Sequence, residues 1–431
     1  MNKITLIIGN GMDLQLNLPT TFNDFYDWIN KNRSNYKNIF LPPNAEILGE
    51  RIEEWSDFEK KFPEIIDICF SILNDEDKDR FNNEDIKYYT NYMKNNFSNI
   101  DSDNDLAIKI VIEFSGFLKS FEDYLKSIEN IFFNSGTTSN VLDKVAQDFL
   151  KIDKLLGNKP DIIDDLHRGF NNNQDKLFSI ITLNYTDVVD QLSNRLGKNI
   201  EILIGNKKYK FTQIAKSPLY LHGKINRSEA DNGIVIGTYS PKVLNKRLLA
   251  TRQKNLFSKV ELIEKEKKGH EYKKVNDILN GEQLFILYGL SLGDSDKILI
   301  SRLLNKLINT NSFLIIYYYD NEYQGVDEAF RTNLITDKIL TDLTSQHGLS
   351  DTNIKAISEK LFVVPIDSTR NYISNECKLL SDNQRSKLLN GLKINHLENN
   401  VITPDQVEMR LIEKNKSLNK SVENALLNNK N

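Results

Sequence analysis

Residues 3–13 read KITLIIGNGMD, and this stretch decides the fold. Residues 4–8 form a short apolar run rich in β-branched side chains, and the Gly-Asn-Gly turn at 9–11 ends it. A buried parallel strand that ends in Gly-x-Gly lets the backbone approach a phosphate, because glycine has no Cβ. The third glycine of the dinucleotide-binding fingerprint would fall at Leu14. Alone, the stretch fits a nucleotide-binding strand and a plain strand with a tight turn equally well.

Length, charge and cysteine content narrow the class of protein. The 431 residues are more than one compact core usually holds, which predicts one large domain with insertions or two domains. A net charge of −4 argues against binding nucleic acid mainly by electrostatic attraction. The two cysteines, Cys69 and Cys377, fit a reducing cytoplasm and exclude a four-cysteine zinc site. No window holds the roughly 18 apolar residues of a membrane span, and we read no signal peptide. We therefore expect a cytoplasmic protein without membrane contact.

Strand and helix patterns divide the chain into three parts. After the first strand, strand–turn–helix patterns return at residue 176 and continue to a last strand at 361–367. Apolar stripes at helical spacing run through the residues between. We predict an α/β core with a Rossmann-like parallel sheet from residues 1–44 and 158–370. A helical insertion is predicted at 45–157, and a polar helical C-terminal region at 371–431.

Four clusters of glycines and polar residues each follow a predicted strand. In parallel sheets, ligands bind at the carboxyl ends of the strands. The four clusters should therefore meet at one edge of the sheet and form one binding site. They are Gly9, Asn10, Gly11 and Asp13; Thr182, Asn184, Tyr185 and Asp187; His222, Gly223 and Lys224; and Gly289, Ser291, Gly293, Asp294 and Asp296.

The residue types in these clusters indicate their chemistry. The glycine turns and the Ser291 hydroxyl are suited to phosphates. Asn184 can donate and accept hydrogen bonds, so it can hold a ribose hydroxyl or orient a water. His222 is the one histidine in such a turn, and its titration range suits a base that takes a proton from a hydroxyl. No histidine or cysteine pair has metal-ligand spacing, so we expect no metal site.

Some of these residues also have simpler interpretations. Asp13 fits either a helix cap or a polar group directed at a ligand, and Asp294 and Asp296 fit helix capping. Residues 289–293 also match the Gly-x-Ser-x-Gly pattern of a hydrolase nucleophile elbow, with Ser291 as nucleophile. That mechanism needs a later histidine, and the two that follow, His347 and His396, do not follow a clear strand. The elbow interpretation is therefore disfavoured.

Several motifs together resemble a known family. IIGNGMDLQLNLPTTFNDF, WSDFE at 55–59, TLNYTD, LHGKI and LYGLSLGDSD are similar to the AbiH family of bacterial abortive-infection proteins, over about residues 4–310. AbiH proteins in turn resemble sirtuin-type NAD-binding proteins, which carry Gly-Ala-Gly, Thr-Gln-Asn-Ile-Asp, His-Gly and Gly-Thr-Ser in this order. The matching positions here are Gly9–Gly11, Thr182–Asn184, His222-Gly223 and 289–291.

The resemblance implies a sirtuin-like core with an NAD site. Asn184 would contact the nicotinamide ribose and position water, and His222 would act as general base. The remaining NAD contacts would come from Gly9, Asn10, Gly11, Asp13, Thr182, Asp187, Gly289, Ser291 and Asp294. Thr186 stands where sirtuins have an aspartate, and Asp187 lies one residue further on. Protein deacetylation is not expected, because the cysteines for the usual zinc module are missing.

The leading hypothesis is an antiphage effector that hydrolyses NAD⁺ to nicotinamide and ADP-ribose. One alternative is a non-catalytic sensor of NAD, ADP-ribose or another nucleotide that signals to a partner. Another is a Mg²⁺-dependent enzyme acting on nucleotides or nucleic acid, with Asp13, Asp187, Asp294 and Asp296 around the ion. An uncontrolled NAD⁺ hydrolase would kill its host, so we expect a phage-derived trigger or a regulatory partner protein. A homo-oligomer is also possible on the resemblance.

Overall fold

An eight-stranded sheet lies at the centre of the fold. The computed structural model describes residues 1–33, 36–42, 46–47, 50–53, 55–97, 99–133, 138–150, 160–170, 174–214, 217–225, 234–237, 246–249, 257, 269–290, 292–293, 296–320, 322–323, 325–366 and 380–389. The strands are β1 (Lys3–Ile8), β2 (Glu46–Ile47), β3 (Glu50–Arg51), β4 (Leu177–Thr182), β5 (Asn199–Ile204), β6 (Lys207–Gln213), β7 (Leu219–Tyr220), β8 (Gln283–Tyr288), β9 (Phe313–Tyr319) and β10 (Leu361–Ile366).

The sheet is mostly parallel, as the alternation of strands and helices predicts. Its order is β10-β9-β8-β1-β4-β6-β5, and β7 also pairs with β4. Strand β1 is central and pairs in parallel with β4 on one side and β8 on the other. The β5–β6 pair is antiparallel, and β2 and β3 form a separate short antiparallel pair. The strand order therefore reverses at β1, which makes the carboxyl end of β1 the switch point where ligands bind in such sheets.

The helices cover both faces of this sheet. They are α1 (Gly11–Gln15), α2 (Phe22–Asn32), α3 (Trp55–Asn74), α4 (Asn83–Asn96), α5 (Asp103–Phe133), α6 (Thr138–Phe149), α7 (Pro160–Phe170), α8 (Val188–Leu196), α9 (Lys246–Leu249), α10 (Gly269–Leu279), α11 (Lys297–Asn309), α12 (Glu328–His347), α13 (Asp351–Ser358) and α14 (Asp382–Leu389). Within the described residues, no helix is long and apolar enough to cross a membrane.

The two-residue period of the strands divides the core into two layers. Ile4, Leu6 and Ile8 of β1 point to a large cluster with the aromatic side chains of α2, α3 and α5. Ile7 points to the opposite face, where α10 to α13 supply the apolar contacts. Successive side chains of a strand face opposite sides of the sheet, so a strand buried on both faces reads as a continuous apolar run. This explains why residues 4–8 lack the polar alternation of a half-exposed strand.

Helices occur in both predicted helical ranges where the structure describes them, and one predicted cap is confirmed. Helices α3 to α6 occupy the range 45–157, together with the short β2–β3 pair. Thr21 and Asp24 form the capping box that begins α2. Of the range 371–431, residues 380–389 are described, and there α14 contacts α2 through Arg385, whose guanidinium donates to Asp24 at 2.9 Å. The domain boundaries given above stay a prediction.

Candidate functional site

Four strands end side by side at one edge of the sheet. Ile8, the last residue of β1, is in register with Thr182 of β4 and Tyr288 of β8. Thr182 is in register with Tyr220 of β7. The turns after β1, β4, β7 and β8 therefore meet at this edge, as the parallel sheet predicts. That the four clusters form one binding site stays a prediction. This edge, which we call the crevice after the usual ligand site of such sheets, lies at the switch point of the strand order.

The glycines at this edge make close backbone contact between the turn after β1 and the turn after β8. The Gly9 N–H donates to the Tyr288 carbonyl at 2.8 Å, and the Gly11 N–H donates to the Gly289 carbonyl at 2.9 Å. A Cβ on Gly9 would lie 2.4 Å from the Gly289 carbonyl oxygen, and one on Gly289, whose φ is +68°, would lie 2.7 Å from the Met12 nitrogen. Glycine is thus needed here so that the two turns can touch. A phosphate at this turn would have to be held by donors other than these two N–H groups.

Asn10 is also engaged within the protein. Its Nδ2 donates to the Thr20 carbonyl at 3.2 Å, and its Oδ1 accepts from the Thr20 hydroxyl at 2.8 Å. The Trp55 indole N–H donates to the same carbonyl at 2.8 Å. Asn10 therefore joins the β1 turn to the segment before α2 and to helix α3.

Asp13 forms the centre of a buried polar cluster. It lies inside α1, is 1% exposed, and accepts from Asn184 Nδ2 at 3.0 Å and from Thr186 Oγ1 at 2.9 Å. The N-cap of α1 is Asn10, and Asp13 is directed across the crevice, so its interpretation as a helix cap is wrong. Burial raises the pKa of Asp13 from 3.8 to about 7, although the hydrogen bonds from Thr186 and Asn184 lower it.

Asn184 presents an unpaired acceptor in this cluster. It is 1% exposed, and its backbone N–H donates to the Thr182 hydroxyl at 3.1 Å. With Nδ2 bonded to Asp13, Oδ1 is buried and has no hydrogen-bond partner among the described residues. Buried polar atoms almost always have a hydrogen-bond partner, so an unpaired one indicates a position where a ligand or a water molecule can supply the partner. The Thr182 hydroxyl itself donates to the Ile8 carbonyl at 3.2 Å and links the ends of β1 and β4.

His222 lies beside an acidic and an aromatic side chain. Its Nε2 is 3.3 Å from Asp296 Oδ1, and its ring centre is 6.1 Å from that of Tyr185. Asp296 occupies the N-cap position of α11 without a side-chain capping bond. A carboxylate at one ring nitrogen fixes the orientation of an imidazole and leaves the other nitrogen to act on a ligand. Burial, with Glu59 and Asp296 nearby, raises the pKa of Tyr185 well above its ordinary value.

Asp187 is held by a cation from the neighbouring turn. Its Oδ1 is 2.6 Å from Lys224 Nζ, and Lys224 also pairs with Asp190. Burial lowers the pKa of Lys224, but the hydrogen bonds with Asp187 and Asp190 outweigh it, and the pKa stands above its ordinary value. This ion pair joins the turn after β7 to the start of α8.

The helical segment contributes two carboxyl groups that the motifs did not predict. Glu129 of α5 is 4% exposed, and its Oε1 accepts from the Asp187 N–H at 2.6 Å. Burial raises the pKa of Glu129 to about 8, although the hydrogen bond from the Asp187 N–H and the charge of Lys224 lower it. The negative charges of Asp187 and Asp13 add to the increase. Glu59 of α3 is also buried. Both are charged residues within an apolar helical stripe. A charged residue at such a position is the sequence feature from which they could have been predicted.

Two predicted site residues, Ser291 and Asp294, lie outside the described residues. His347, one of the two histidines available to a Ser291 nucleophile, contacts the Ser301 hydroxyl through Nδ1 at 2.9 Å instead.

In the part of the chain that the structure describes, no three His, Cys, Asp or Glu side chains are grouped so that they could hold a metal ion.

The chain is similar to a known protein family over most of its length. A family model described as bacteriophage abortive infection AbiH matches residues 5–319. That span runs from β1 to the end of β9 and includes every crevice residue named above. No curated protein is similar enough to match the sequence.

Proposed function

Since the chain belongs to the AbiH family of bacteriophage abortive-infection proteins, we propose that it acts during infection by hydrolysing NAD⁺ to nicotinamide and ADP-ribose. The observation that carries this proposal is the buried, unpaired Oδ1 of Asn184, which is held in place by Asp13. It lies at the switch point of a mostly parallel sheet, where nucleotides bind in such folds.

The proposed reaction breaks the bond between C1′ of the ribose and the nicotinamide nitrogen. The electron pair of that bond passes to the ring nitrogen, which becomes neutral, and a water oxygen bonds to C1′. The water proton is taken up by a base, and ADP-ribose is the second product. Cleavage of this kind passes through an oxocarbenium-like centre that polar groups can stabilise. Nicotinamide leaves as a neutral molecule, so the protein does not have to protonate it.

Two side chains have the properties that this reaction needs. Asn184 Oδ1 can accept a hydrogen bond from the attacking water and so orient it toward C1′. His222 is nine-tenths buried, and Asp296 contacts its Nε2, so the other ring nitrogen can take a proton from the water or from a ribose hydroxyl. The order of Gly-x-Gly, Asn, His-Gly and Gly-x-Ser along the chain also resembles that of sirtuins.

Nicotinamide release from NAD⁺ tests the proposal. We expect release by the purified protein, alone or with lysate of phage-infected cells, and at least about a 100-fold loss in Asn184→Ala and in His222→Ala. Asn305→Ala is the matched control, because Asn305 is exposed on α11. Loss of phage protection in plaque assays should follow the loss of release. Full release by Asn184→Ala would refute the assignment of the site.

Other outcomes would favour the alternatives. Binding of NAD⁺ in calorimetry without turnover in either condition would refute hydrolysis and favour a sensor. Turnover of a nucleotide only with Mg²⁺, abolished by a chelator, would favour the metal-dependent enzyme.

A further inference from the structure

When Asp13 is ionised, it allows the Asn184 amide one orientation. Asp13 accepts from Asn184 Nδ2 at 3.0 Å and from Thr186 Oγ1 at 2.9 Å. An ionised carboxylate has no hydrogen to donate. The opposite orientation of the amide would therefore place its oxygen against a carboxylate oxygen, with two acceptors in contact. Ionised Asp13 can hold only the N–H side, which leaves Oδ1 directed away from Asp13.

We propose that Asp13 is a positioning residue that acts through Asn184, with its ionised form turning the amide oxygen into the crevice. A protonated Asp13 carries both a donor and an acceptor, so it can hold the amide either way round. When Asp13 is protonated, Asn184 Oδ1 therefore faces the crevice for only part of the time. The oriented oxygen selects an O–H or N–H donor, which in the proposed function is the attacking water. The kinetic test below rests on that function.

The groups around Asp13 come from several elements. Asn184 and Thr186 belong to the turn after β4, and both are neutral hydrogen-bond donors. Glu129 of α5 and Tyr220 of β7 are the titratable groups whose charges interact with it. Lys224, a cation of the turn after β7, is held by Asp187 and Asp190. Because burial brings the pKa of Asp13 to about 7, both of its forms are populated near neutral pH.

The amide itself gives a readout that needs no catalysis. In protein labelled with ¹⁵N-asparagine, the Asn184 side-chain signal is the one that Asn184→Ala removes. We expect its shift to titrate between pH 5.5 and 8.5 in the wild type and to stay constant in Asp13→Asn. An Asn184 signal that does not titrate in the wild type would overturn the proposal, and this result does not depend on any variant at position 13.

The pH profile of nicotinamide release gives the second readout. Asparagine at position 13 can hold the amide either way round at every pH, so Asp13→Asn should behave like the wild type at low pH. We expect kcat/KM of the wild type to rise about fivefold more than that of Asp13→Asn between pH 5.5 and 8.5, the difference between a charged and a neutral hydrogen bond. The difference between the pH profiles of the wild type and Asp13→Asn should appear in kcat rather than in KM. Profiles of the same shape would overturn the proposal.

The two readouts separate this proposal from the function on which it rests. A titrating amide without nicotinamide release at any pH would support the positioning role and refute NAD⁺ hydrolysis. Release without a titrating amide would support hydrolysis and refute the positioning role. Asp337→Asn, on the exposed face of α12, is the control and should match the wild type in both measurements.

Discussion

Replacing Asp13 by asparagine should stabilise the protein at alkaline pH. The carboxyl is 1% exposed, and burial raises its pKa from 3.8 to about 7. A group whose pKa is raised on folding favours the folded state while it stays protonated, and that contribution is lost as pH rises from the unfolded to the folded pKa. Each pKa unit corresponds to about 1.4 kcal/mol, so the wild type should lose about 4 kcal/mol between pH 4 and pH 8 on account of Asp13.

The asparagine variant does not carry this penalty. Its side chain can accept from Asn184 and donate to the Thr186 oxygen, so both contacts are kept. We expect the stability of Asp13→Asn relative to the wild type to increase by about 3 kcal/mol between pH 4.5 and pH 8. Glu129, whose pKa is about 8, also destabilises the wild type as pH rises. The charge of Asp13 contributes to that raised pKa, so Asp13→Asn lessens the effect and changes the stability in the same direction.

Unfolding by urea at half-unit steps from pH 4.5 to 8.5 measures this difference. Asp337→Asn removes an exposed carboxyl of the same type and should leave the free energy of unfolding within about 0.5 kcal/mol of the wild type at every pH. A difference between Asp13→Asn and the wild type that does not change with pH would refute the reasoning. A variant that is less stable than the wild type at pH 8 would also refute it.

Two further predictions concern the framework of the site. Gly289→Ala should lower the free energy of unfolding by at least about 2 kcal/mol because of its close backbone contacts. Gly281, with φ +87°, has open space around it, so Gly281→Ala should cost only about 1 kcal/mol. Equal losses of the two variants in urea unfolding would contradict this explanation. Arg331→Met should cost about 3–5 kcal/mol, because it leaves the buried Asp320 carboxylate without its guanidinium partner. Adding Asp320→Asn should restore part of that loss, and no recovery in the double variant would contradict the explanation.

The sequence predicts the sheet and the place of the site because both follow from local patterns. Continuous apolar runs at β1, β4 and β8 indicate strands buried on both faces, and parallel pairing brings their ends to one edge. The Thr21–Asp24 capping box is equally local and is confirmed. Asn184 and His222 could be selected because each lies in the turn that follows a strand. These predictions need only the order of residues and the geometry of parallel sheets.

The partners of the site residues could not be predicted in the same way. Of the two interpretations of Asp13, the helix cap is wrong, because its hydrogen bonds go to Asn184 and Thr186, more than 170 positions away along the chain. Glu129 was missed because a helical period locates the buried face of α5 but not the element that this face meets. The close contact of Gly9 and Gly289 depends on the pairing of β1 with β8, which neither turn reveals alone.

The central position of β1 also determines when the crevice can assemble during synthesis. Thr182 follows Ile8 by 174 residues, and Gln283 follows Thr5 by 278 residues. At roughly 5–20 residues per second, the ribosome takes on the order of tens of seconds to supply the second neighbour of β1. Until then the nascent chain lacks β8, the contact between Gly9 and Gly289, and Asp296. A polypeptide released early by a stalled ribosome therefore lacks one side of the candidate site.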